Sequence, residues 1–366
     1  MPRFIQLHLL TSYPPSNLNR DDLGRPKTAM MGGAERLRIS SQSLKRAWRK
    51  SELFESAVKG HIGTRTQKMG VDVLKRLQEK GVAEKNAIGW AKKIADVFGK
   101  LKAVKSKKAT DKEDTTAPTE PNKAFEIEQL AHFSPEEQAA IMDLADTIAE
   151  RNSGPTADEL KLLRAKHSAV DIALFGRMLA SAPAYNMEAA VQVAHAITVH
   201  KVAVEDDYFT AVDDLNKSEE DTGAAHLGET EFAAGLYYIY ICIDRNLLAE
   251  NLNEDDALVN KTLAALVECA AKIAPTGKQN SFASRAYTSF LLAEKGDQQP
   301  RSLSVAFLKP VEAFKNGMLE NAIKALVDTR DNMNTVYGNC ADDDRIMKVA
   351  KAKGHTFDDI IKFILE

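Results

Sequence analysis

Cysteines, long apolar runs and secretion signals are scarce or missing in this sequence. The 366 residues include three cysteines, Cys242, Cys269 and Cys340, an odd number without Cys-x-x-Cys spacing. Neither a disulfide framework nor a structural zinc site is therefore expected, and the thiols are predicted to be reduced core residues. No uncharged apolar stretch reaches 18 residues, and no signal-peptide pattern opens the chain. We expect a cytoplasmic protein that does not associate with membranes.

Motifs for catalysis or cofactor binding are also missing. Gly277-Lys278 lacks the glycine that a P-loop carries five residues earlier, and Gly32-Gly33 does not follow a predicted strand. His195 and His200 lie five residues apart, and an odd separation points two side chains to opposite faces of a strand. No Gly-x-Ser-x-Gly sequence or Cys-His arrangement suggests a nucleophile. The sequence predicts no metal, no cofactor and no catalytic residue.

The near-neutral net charge of −3 hides a division along the chain. Residues 1–108 carry 24 basic and 9 acidic side chains, net +15, whereas residues 109–366 carry 25 and 43, net −18. The range 36–50 holds six basic residues and no acid, and the range 205–221 holds eight acids and one lysine. Clustered cations of this kind are the usual footprint of a phosphate-binding surface. The acidic range would repel a polyanion and suits the basic surface of a second copy.

Local patterns predict alternating strands and helices. Phe4–Leu10 and Phe232–Ile243 are apolar and β-branched enough for strands, as is the range 189–204, and a further strand is expected near 285–293. A long loop is expected from the first strand to about Arg38. Ser40 or Ser41 is positioned to cap a helix that places Leu44, Ala47 and Trp48 on one face and Lys45 and Arg49 on another. A second helix is expected at 255–273.

These elements, without their insertions, follow the order strand, helix, strand, strand, helix, strand. This order predicts an α+β fold of the ferredoxin-like, RRM-like type. Residues from about 60 to 166 read as a mostly helical insertion, and its charged range 100–123 reads as a mobile surface loop. The range 204–231 reads as a long connection between two antiparallel strands, and such connections are usually functional.

Asp21 and Asp22 are the one pair of carboxylates that invites a catalytic interpretation. They lie in a loop beside Arg20, Arg25 and Lys27, where two carboxylates could hold a divalent metal for phosphodiester cleavage. Adjacent acids in a loop more often form turns or pair with neighbouring arginines. Turn formation is the interpretation that we favour.

Several blocks of sequence resemble one family. Leu18-Asn-Arg-Asp-Asp22 and Arg36-Leu-Arg-Ile-Ser-Ser-Gln-Ser-Leu-Lys-Arg-Ala-Trp48 resemble the CasC family, the backbone subunits of the type I-E CRISPR surveillance complex Cascade. The resemblance continues, in order, at Asp171-Ile-Ala-Leu-Phe-Gly-Arg-Met178, His195-Ala-Ile-Thr198, Phe209-Thr-Ala-Val-Asp-Asp-Leu215, Ala225-His-Leu-Gly-Glu-Thr-Glu-Phe232 and Gly277-Lys-Gln279. Several ordered blocks are far more specific than any one of them.

The resemblance implies a hand-like protein with a ferredoxin-like palm, helical fingers and an extended thumb hairpin. The corresponding ranges are palm 1–58, finger insertion 59–167, palm 168–203, thumb 204–231 and palm 232–366. The implied function is to polymerise head to tail along the spacer of a CRISPR RNA (crRNA), displacing bases at intervals and presenting the guide to target DNA. Its implied partners are crRNA, target DNA, further copies of itself and other Cascade subunits.

The resemblance also implies roles for individual residues. The residues expected to line a groove for guide phosphates are Asn19, Arg20, Lys27, Arg38, Ser40, Gln42, Lys45, Arg46 and Arg49. Met178 would insert beside guide bases, Phe209 and Leu227 would wedge the displaced base, and Lys278 and Gln279 would contact guide backbone. Lys161, Arg164 and Lys166 are candidates for contact with target DNA.

Two other functions stay open at this stage. A guide-bound RNA endonuclease would use Asp21 or Asp22 for cleavage. A general single-strand RNA-binding protein would bind without assembling on a guide of defined length.

Overall fold

The computed structural model describes residues 1–103, 122–211, 226–313, 317–350 and 353–366. Most of the predicted surface loop at 100–123 and the tip of the predicted thumb lie outside these residues. The strands are β1 Phe4–Ser16, β2 Thr28–Met31, β3 Ala34–Ile39, β4 Thr64–Thr66, β5 Ala131–Phe133, β6 Val191–Val193, β7 Ala196–Thr198, β8 Glu205–Ala211, β9 His226–Asp244, β10 Phe290–Gly296, β11 Asp343–Lys348 and β12 Lys353–Gly354. The helices are α1 Ser41–Arg49, α2 Glu52–Ala57, α3 Met69–Glu79, α4 Glu84–Asp96, α5 Pro135–Glu150, α6 Val170–Phe175, α7 Arg245–Asn251, α8 Asp256–Lys272, α9 Gln279–Phe282, α10 Met318–Tyr337 and α11 Phe357–Leu365.

The chain divides into two compact units. The first unit comprises residues 1–57, 191–246 and 260–366, and the second comprises residues 58–190 and 247–259. The predicted limits of palm, fingers and thumb stay predictions. Among the described residues, no helix has both the length and the apolar character to cross a membrane.

The first unit is built on an antiparallel sheet, so the predicted α+β class is confirmed. The strand order is β12-β11-β10-β1-β9-β7-β3-β2, and β6 and β8 pair with β9. β1 lies between β9 and β10 and is buried on both faces, so Phe4–Leu10 is mostly apolar and its two polar side chains, Gln6 and His8, are buried as well. Leu10, Tyr238, Phe290 and Phe307 belong to the core cluster on one face of this sheet.

A buried polar network crosses three strands of this sheet. The His8 ring lies between the hydroxyl of Tyr238, at 2.8 Å from Nδ1, and the carboxylate of Glu294, at 3.1 Å from Nε2. Arg301 donates to both oxygens of Glu294, at 2.7 and 3.1 Å. Burial lowers the pKa of His8. Burial raises the pKa of Glu294, but hydrogen bonds from His8 and Arg301 outweigh it and hold that pKa at about 2. The carboxylate is therefore ionised, Nε2 of His8 donates to it, and Nδ1 accepts from Tyr238.

The predicted loop before Arg38 is wrong, because residues 28–39 form a hairpin. β2 pairs with β3 in antiparallel register around Gly32-Gly33, whose φ angles are +60° and +74°. Two positive φ angles suit a two-residue turn, and Gly-Gly adopts them at low steric cost. A Cβ on Gly32 would also lie 1.7 Å from the carbonyl oxygen of Leu308.

Other boundaries differ less. The strand expected over 189–204 is limited to the short β6 and β7, and the last palm strand begins at Phe290 rather than near 285. The helix expected at 255–273 is α8.

The second unit is mostly helical, as predicted for its central part. α3, α4 and α5 enclose an apolar core that includes Leu77, Trp90, Phe133 and Ile141. α5 starts with Ser134 and Glu137, which form a reciprocal capping box. The range 155–169 is an exception, because it lies between α5 and α6 without regular structure.

Candidate nucleic-acid interface

Four predicted groove residues meet where β3 leads into α1. Asn19 Oδ1 accepts from the backbone N–H of Ser40 at 2.9 Å, and the Asn19 carbonyl accepts from the N–H of Lys27 at 2.9 Å. The N–H of Arg38 in turn donates to the carbonyl of Lys27 at 2.8 Å. The loop after β1 is thereby fixed against the start of α1.

Of the two predicted caps, Ser40 rather than Ser41 is the N-cap of α1. Its Oγ accepts from the N–H of Ser43 at 3.3 Å, and the side chain is buried. A hydroxyl that accepts still has a hydrogen to donate. The helix begins at this position because the cap satisfies one of its unpaired N–H groups.

The front of α1 carries four more of the predicted groove residues, of which Gln42 and Arg46 are exposed and Lys45 and Arg49 are half-buried. Leu44, Ala47 and Trp48 are buried on the back of the helix, as the spacing predicts. Gln42, Lys45, Arg46 and Arg49 follow the i, i+3, i+4, i+7 spacing of a single face. Burial of its stem lowers the pKa of Lys45, whereas Arg46 is exposed and has no side-chain partner among the described residues.

His195 contributes a side chain to this surface. The sequence pattern considers it as a metal ligand together with His200 and rejects that role. Arg38 Nη1 lies 3.0 Å from His195 Nδ1. Partial burial and the positive charges of Arg38 and Lys27 lower the pKa of His195. The ring is therefore neutral near pH 7, its Nδ1 accepts from Arg38, and its Nε2–H is a donor on the same exposed surface. No spacing rule in the sequence reveals this contact. The described residues contain no group of three or more His, Cys, Asp or Glu side chains arranged to hold a metal.

Arg36 does not belong to this surface. Its guanidinium is fully buried and donates to the carbonyls of Thr198 and Phe307, each at 2.9 Å. Lys50 forms an ion pair with Glu55. The basic range 36–50 therefore presents fewer free charges than its composition suggests.

The predicted thumb includes a hairpin of β8 and the first part of β9. Its described register runs from Glu205 opposite Phe232 to Ala211 opposite His226. Phe209 lies opposite Gly228, and Thr210 lies opposite Leu227. Phe209 and Leu227, exposed by 44% and 57%, are therefore on opposite faces of the hairpin, since successive residues of a strand alternate. A single displaced base cannot contact both from one side.

Lys278 lies in a loop against the base of this hairpin. Its Nζ donates to Thr230 Oγ1, and the Phe282 ring packs at a tilt of 42° against Phe232, with ring centroids 5.9 Å apart. Gly277 lies so close to Leu18 that a Cβ would come within 2.3 Å of the Leu18 carbonyl oxygen. The loop therefore joins the hairpin to the segment that precedes Asn19 and Arg20.

Gln279 has its amide turned toward its own loop. Its Nε2 donates to the carbonyl of Pro275 at 2.9 Å, whereas its Oε1 is buried and has no partner among the described residues. The donor group of this side chain is thus engaged within its own segment, and the acceptor is enclosed.

The loop that carries Asp21 and Asp22 is held by turn contacts. Asp21 Oδ1 accepts from the N–H groups of Leu23 and Arg25, each at 2.9 Å, as the turn interpretation predicts. Arg25 pairs with Glu231 at 2.8 Å. Asp22 and Arg20 are exposed.

Met178 belongs to the second unit and is 79% exposed, so it is not a core residue. Its neighbour Arg177 forms a fully buried ion pair with Glu137 at 2.7 Å and donates to the carbonyls of Arg164 and Tyr185. This anchor fixes the backbone while Met178 projects outward, at the rim of a cleft of about 270 Å³.

The candidates for contact with target DNA also lie in the second unit. Lys161 pairs with Asp158 at 2.9 Å, and both side chains are exposed. Arg164 and Lys166 are exposed as well. All three precede α6 in the irregular range 155–169, not on a helix as the sequence pattern suggests.

Comparison with known proteins identifies the family of this chain. The model of the CT1975-like protein family matches residues 5–362. The chain belongs to this family. No curated protein matches the CT1975-like chain in a sequence search.

Two solved structures resemble the CT1975-like chain over almost its full length. A chain of a "CRISPR RNA-guided surveillance complex, pre-nicking" is 28% identical, with a TM-score of 0.80 and 99% of both chains covered. A chain of a "CRISPR RNA-guided surveillance complex" is 24% identical, with a TM-score of 0.71 and 99% of both chains covered. The second likeness shows the fold, and the first also extends to sequence.

Proposed function

We propose that this CT1975-like protein is the non-catalytic backbone subunit of a CRISPR RNA-guided surveillance complex of type I-E, which binds crRNA in antiviral defence. The observation that carries the proposal is the likeness, over 99% of both chains, to a chain of a CRISPR RNA-guided surveillance complex at 28% identity. The cationic face of α1, joined to Asn19, Lys27 and Arg38, supports it from the residues.

The first unit would then be a ferredoxin-like palm. β10, β1, β9 and β7 lie side by side in this order, with α1 between β1 and β7 in sequence and α8 between β9 and β10. This arrangement supports the predicted βαββαβ plan. The β8–β9 hairpin would serve as the thumb, and α3 to α5 would belong to the fingers.

The mechanism would be binding and pre-organisation. Cations neutralise guide phosphates, and polar groups such as Asn19 and the His195 Nε2–H fix their direction. The guide reads target DNA by base pairing, so the protein needs no base-specific contacts of its own. Lys161, Arg164 and Lys166 remain the residues proposed to approach target DNA.

Head-to-tail assembly on the guide is part of the proposal. Glu205, Asp206 and Asp207 on β8 give the thumb an exposed acidic edge, which suits the basic palm of a neighbouring copy. Other subunits of the complex would complete the assembly.

Guides of stepwise increasing spacer length test this proposal. Native mass spectrometry should show one further copy for each fixed increment of length. A ladder without a fixed increment would favour the general single-strand RNA-binding protein, and a protein that binds no RNA would overturn both functions.

The endonuclease is the second candidate, and one observation bears on it. Asp22 is exposed beside Arg20, whereas Asp21 is occupied in its turn. Assembled complex should be incubated with complementary RNA and Mg²⁺. We expect no cleavage; periodic cuts that disappear in Asp22→Ala or Asp21→Ala would favour the enzyme.

A further inference from the structure

The segment 277–289, which includes the short helix α9 and precedes β10, carries features that the proposed groove does not use. It begins beside Leu18, at Gly277, and ends beside the middle of β1. There Thr288 Oγ1 lies 2.9 Å from Thr11 Oγ1, and Ser289 donates to the carbonyl of Leu10 at 2.9 Å. The loop therefore runs along β1, from the predicted RNA contacts at Lys278 and Gln279 to the start of β10.

Arg285 and Tyr287 project outward from this loop. Ser284 and Thr288 are buried, Ala286 is half-buried, and Arg285 and Tyr287 are exposed, Tyr287 by 68%. An alternation with period two places side chains i and i+2 on the same side of an extended segment. A cation and an aromatic ring, two residues apart, therefore both face solvent.

Arg285 shares an uncommon property with two of the proposed groove residues. Among the described arginines of the first unit, only Arg20, Arg46 and Arg285 have a guanidinium without a hydrogen-bond, ion-pair or ring partner. Other arginines of that unit are engaged, for example Arg25 with Glu231 and Arg301 with Glu294. A guanidinium without an internal partner is available for an external anion.

The backbone of this loop is held in an uncommon conformation. Lys278 and Ala283 both have a φ of +46°, in the left-handed region that alanine rarely adopts. Such conformations persist where the surroundings fix them, and they cluster at functional sites. The second of them lies immediately before the alternating segment Ser284–Thr288.

We propose that Arg285 and Tyr287 form a subsite for one nucleotide of single-stranded RNA, with the phosphate on the Arg285 guanidinium and the base stacked on the Tyr287 ring. Exposed aromatic rings stack any base, and a neighbouring cation holds the backbone. The small and polar neighbours, such as Ser284 and Ala286, leave the ring face open and supply no apolar core for a protein partner. This subsite rests on the proposed function and extends its RNA surface along β1.

Binding of the full-length protein to a fluorescein-labelled oligouridine, measured by fluorescence anisotropy, tests the subsite. Tyr287→Ala should weaken binding by at least about fivefold, because one base stack on an aromatic side chain is worth that much or more. Tyr287→Phe keeps the ring and should bind like wild type. Tyr337→Ala removes another exposed ring, at the end of α10, and is the matched control.

The contribution of Arg285 is measured separately, from the salt dependence of RNA binding. Arg285→Ala should reduce the slope of log affinity against log salt by about 0.7, the value for one phosphate on a single strand. With 5-iodouridine in the oligonucleotide, ultraviolet irradiation should cross-link the peptide that contains Tyr287. Thermal melting of each variant verifies that the fold is kept.

Each result separates the subsite from the proposed function. If Lys45→Glu with Arg49→Glu weakens binding but Tyr287→Ala does not, the function stands and the subsite is wrong. If the Tyr287 and Arg285 variants change only the number of copies on a guide, without a cross-link, the patch contacts protein and the subsite is overturned. A wild-type protein that binds no RNA would overturn both.

Discussion

The ring of Phe209 lies directly across the hairpin from Gly228, and a Cβ on that glycine would come within 2.2 Å of the ring's Cζ. Glycine in a strand leaves a gap in the side-chain layer, and an aromatic residue on the partner strand covers it. The position of Phe209 on this face therefore depends on a residue that has no side chain.

Gly228→Val should displace the Phe209 ring without unfolding the protein, because the colliding atoms are the end of a side chain that rotates. The free energy of unfolding should change by less than about 1 kcal/mol, as for other exposed strand positions. On the proposed function, the periodic reactivity of guide bases toward a chemical probe should weaken, as in Phe209→Ala. Thr210→Val, on the opposite face of β8, is the control. Unchanged periodicity in both Gly228→Val and Phe209→Ala would exclude Phe209 as the wedge.

Reversing two charges on the front of α1 should weaken guide binding. Lys45→Glu with Arg49→Glu removes two cations and adds two anions beside the proposed phosphate path. The slope of log affinity against log salt should fall by at least about 1.4, the contribution of two phosphates on a single strand. Anisotropy titrations at several salt concentrations measure this slope.

The matched control for this pair is Lys261→Glu with Lys362→Glu. Both lysines are exposed, on α8 and α11, and the change in net charge is identical. If the control weakens binding as much as the α1 pair, total charge rather than the groove governs binding.

Arg177 and Met178 are adjacent in sequence, but truncating Arg177 should lower the free energy of unfolding strongly, whereas truncating Met178 should hardly change it. Arg177→Ala leaves the carboxylate of Glu137 buried without its partner, and we expect a loss of about 3–5 kcal/mol in the free energy of unfolding. Met178→Ala removes an exposed side chain and should change it by less than about 0.5 kcal/mol. Urea denaturation measures both.

Assembly on the guide provides the second readout for this pair. Met178→Ala should form fewer or less stable copies on RNA although its fold is intact. Wild-type assembly by this variant would remove Met178 from the RNA surface.

The buried His8 predicts a loss of stability in mild acid. Because burial lowers its pKa, the unfolded chain takes up the proton more readily than the folded chain does. The free energy of unfolding should fall as the pH drops through the unfolded value of about 6.5, with His8 contributing up to about 1.4 kcal/mol between pH 7.5 and 5.5. Glu294, whose pKa is held at about 2, loses its stabilising contribution only at lower pH, below the ordinary range of a glutamate.

His8→Asn isolates this contribution from those of other histidines. Urea denaturation at both pH values should show a smaller pH dependence for the variant than for wild type. Equal dependence would mean that His8 does not bind the proton on unfolding.

The sequence predicts elements well where one local rule dominates. Ser40 caps α1 because a hydroxyl before a regularly spaced apolar face is a strong signal, and Phe232–Ile243 is a strand because it is apolar and β-branched. A local rule also applies to the turn at Gly32-Gly33, because Gly-Gly between two short strand-like runs indicates a hairpin. Its flanking strands, of four and six residues, are too short for an alternating pattern to be recognised.

Long-range contacts escape prediction for a different reason. Nothing local distinguishes Arg36, which is buried against backbone carbonyls, from Arg38, which faces solvent beside His195. The two residues are two positions apart on β3 and therefore share a side of the strand. Their surroundings differ because distant parts of the chain place Thr198 and Phe307 against Arg36 and His195 beside Arg38. For the same reason, the separation of Phe209 and Leu227 follows from the register of β8 and β9 rather than from composition.

The length and continuity of β9 restrict the movement of the hairpin relative to the sheet. Its 19 residues run without interruption from the hairpin into the centre of the sheet, a length of roughly 60 Å. The hairpin therefore has no flexible hinge where it meets the sheet, because its second strand, β9, continues directly into the part that pairs with β1. On the proposed function, the interval between displaced bases would be set by a molecular ruler of nearly fixed length, insensitive to the sequence of the guide that it measures.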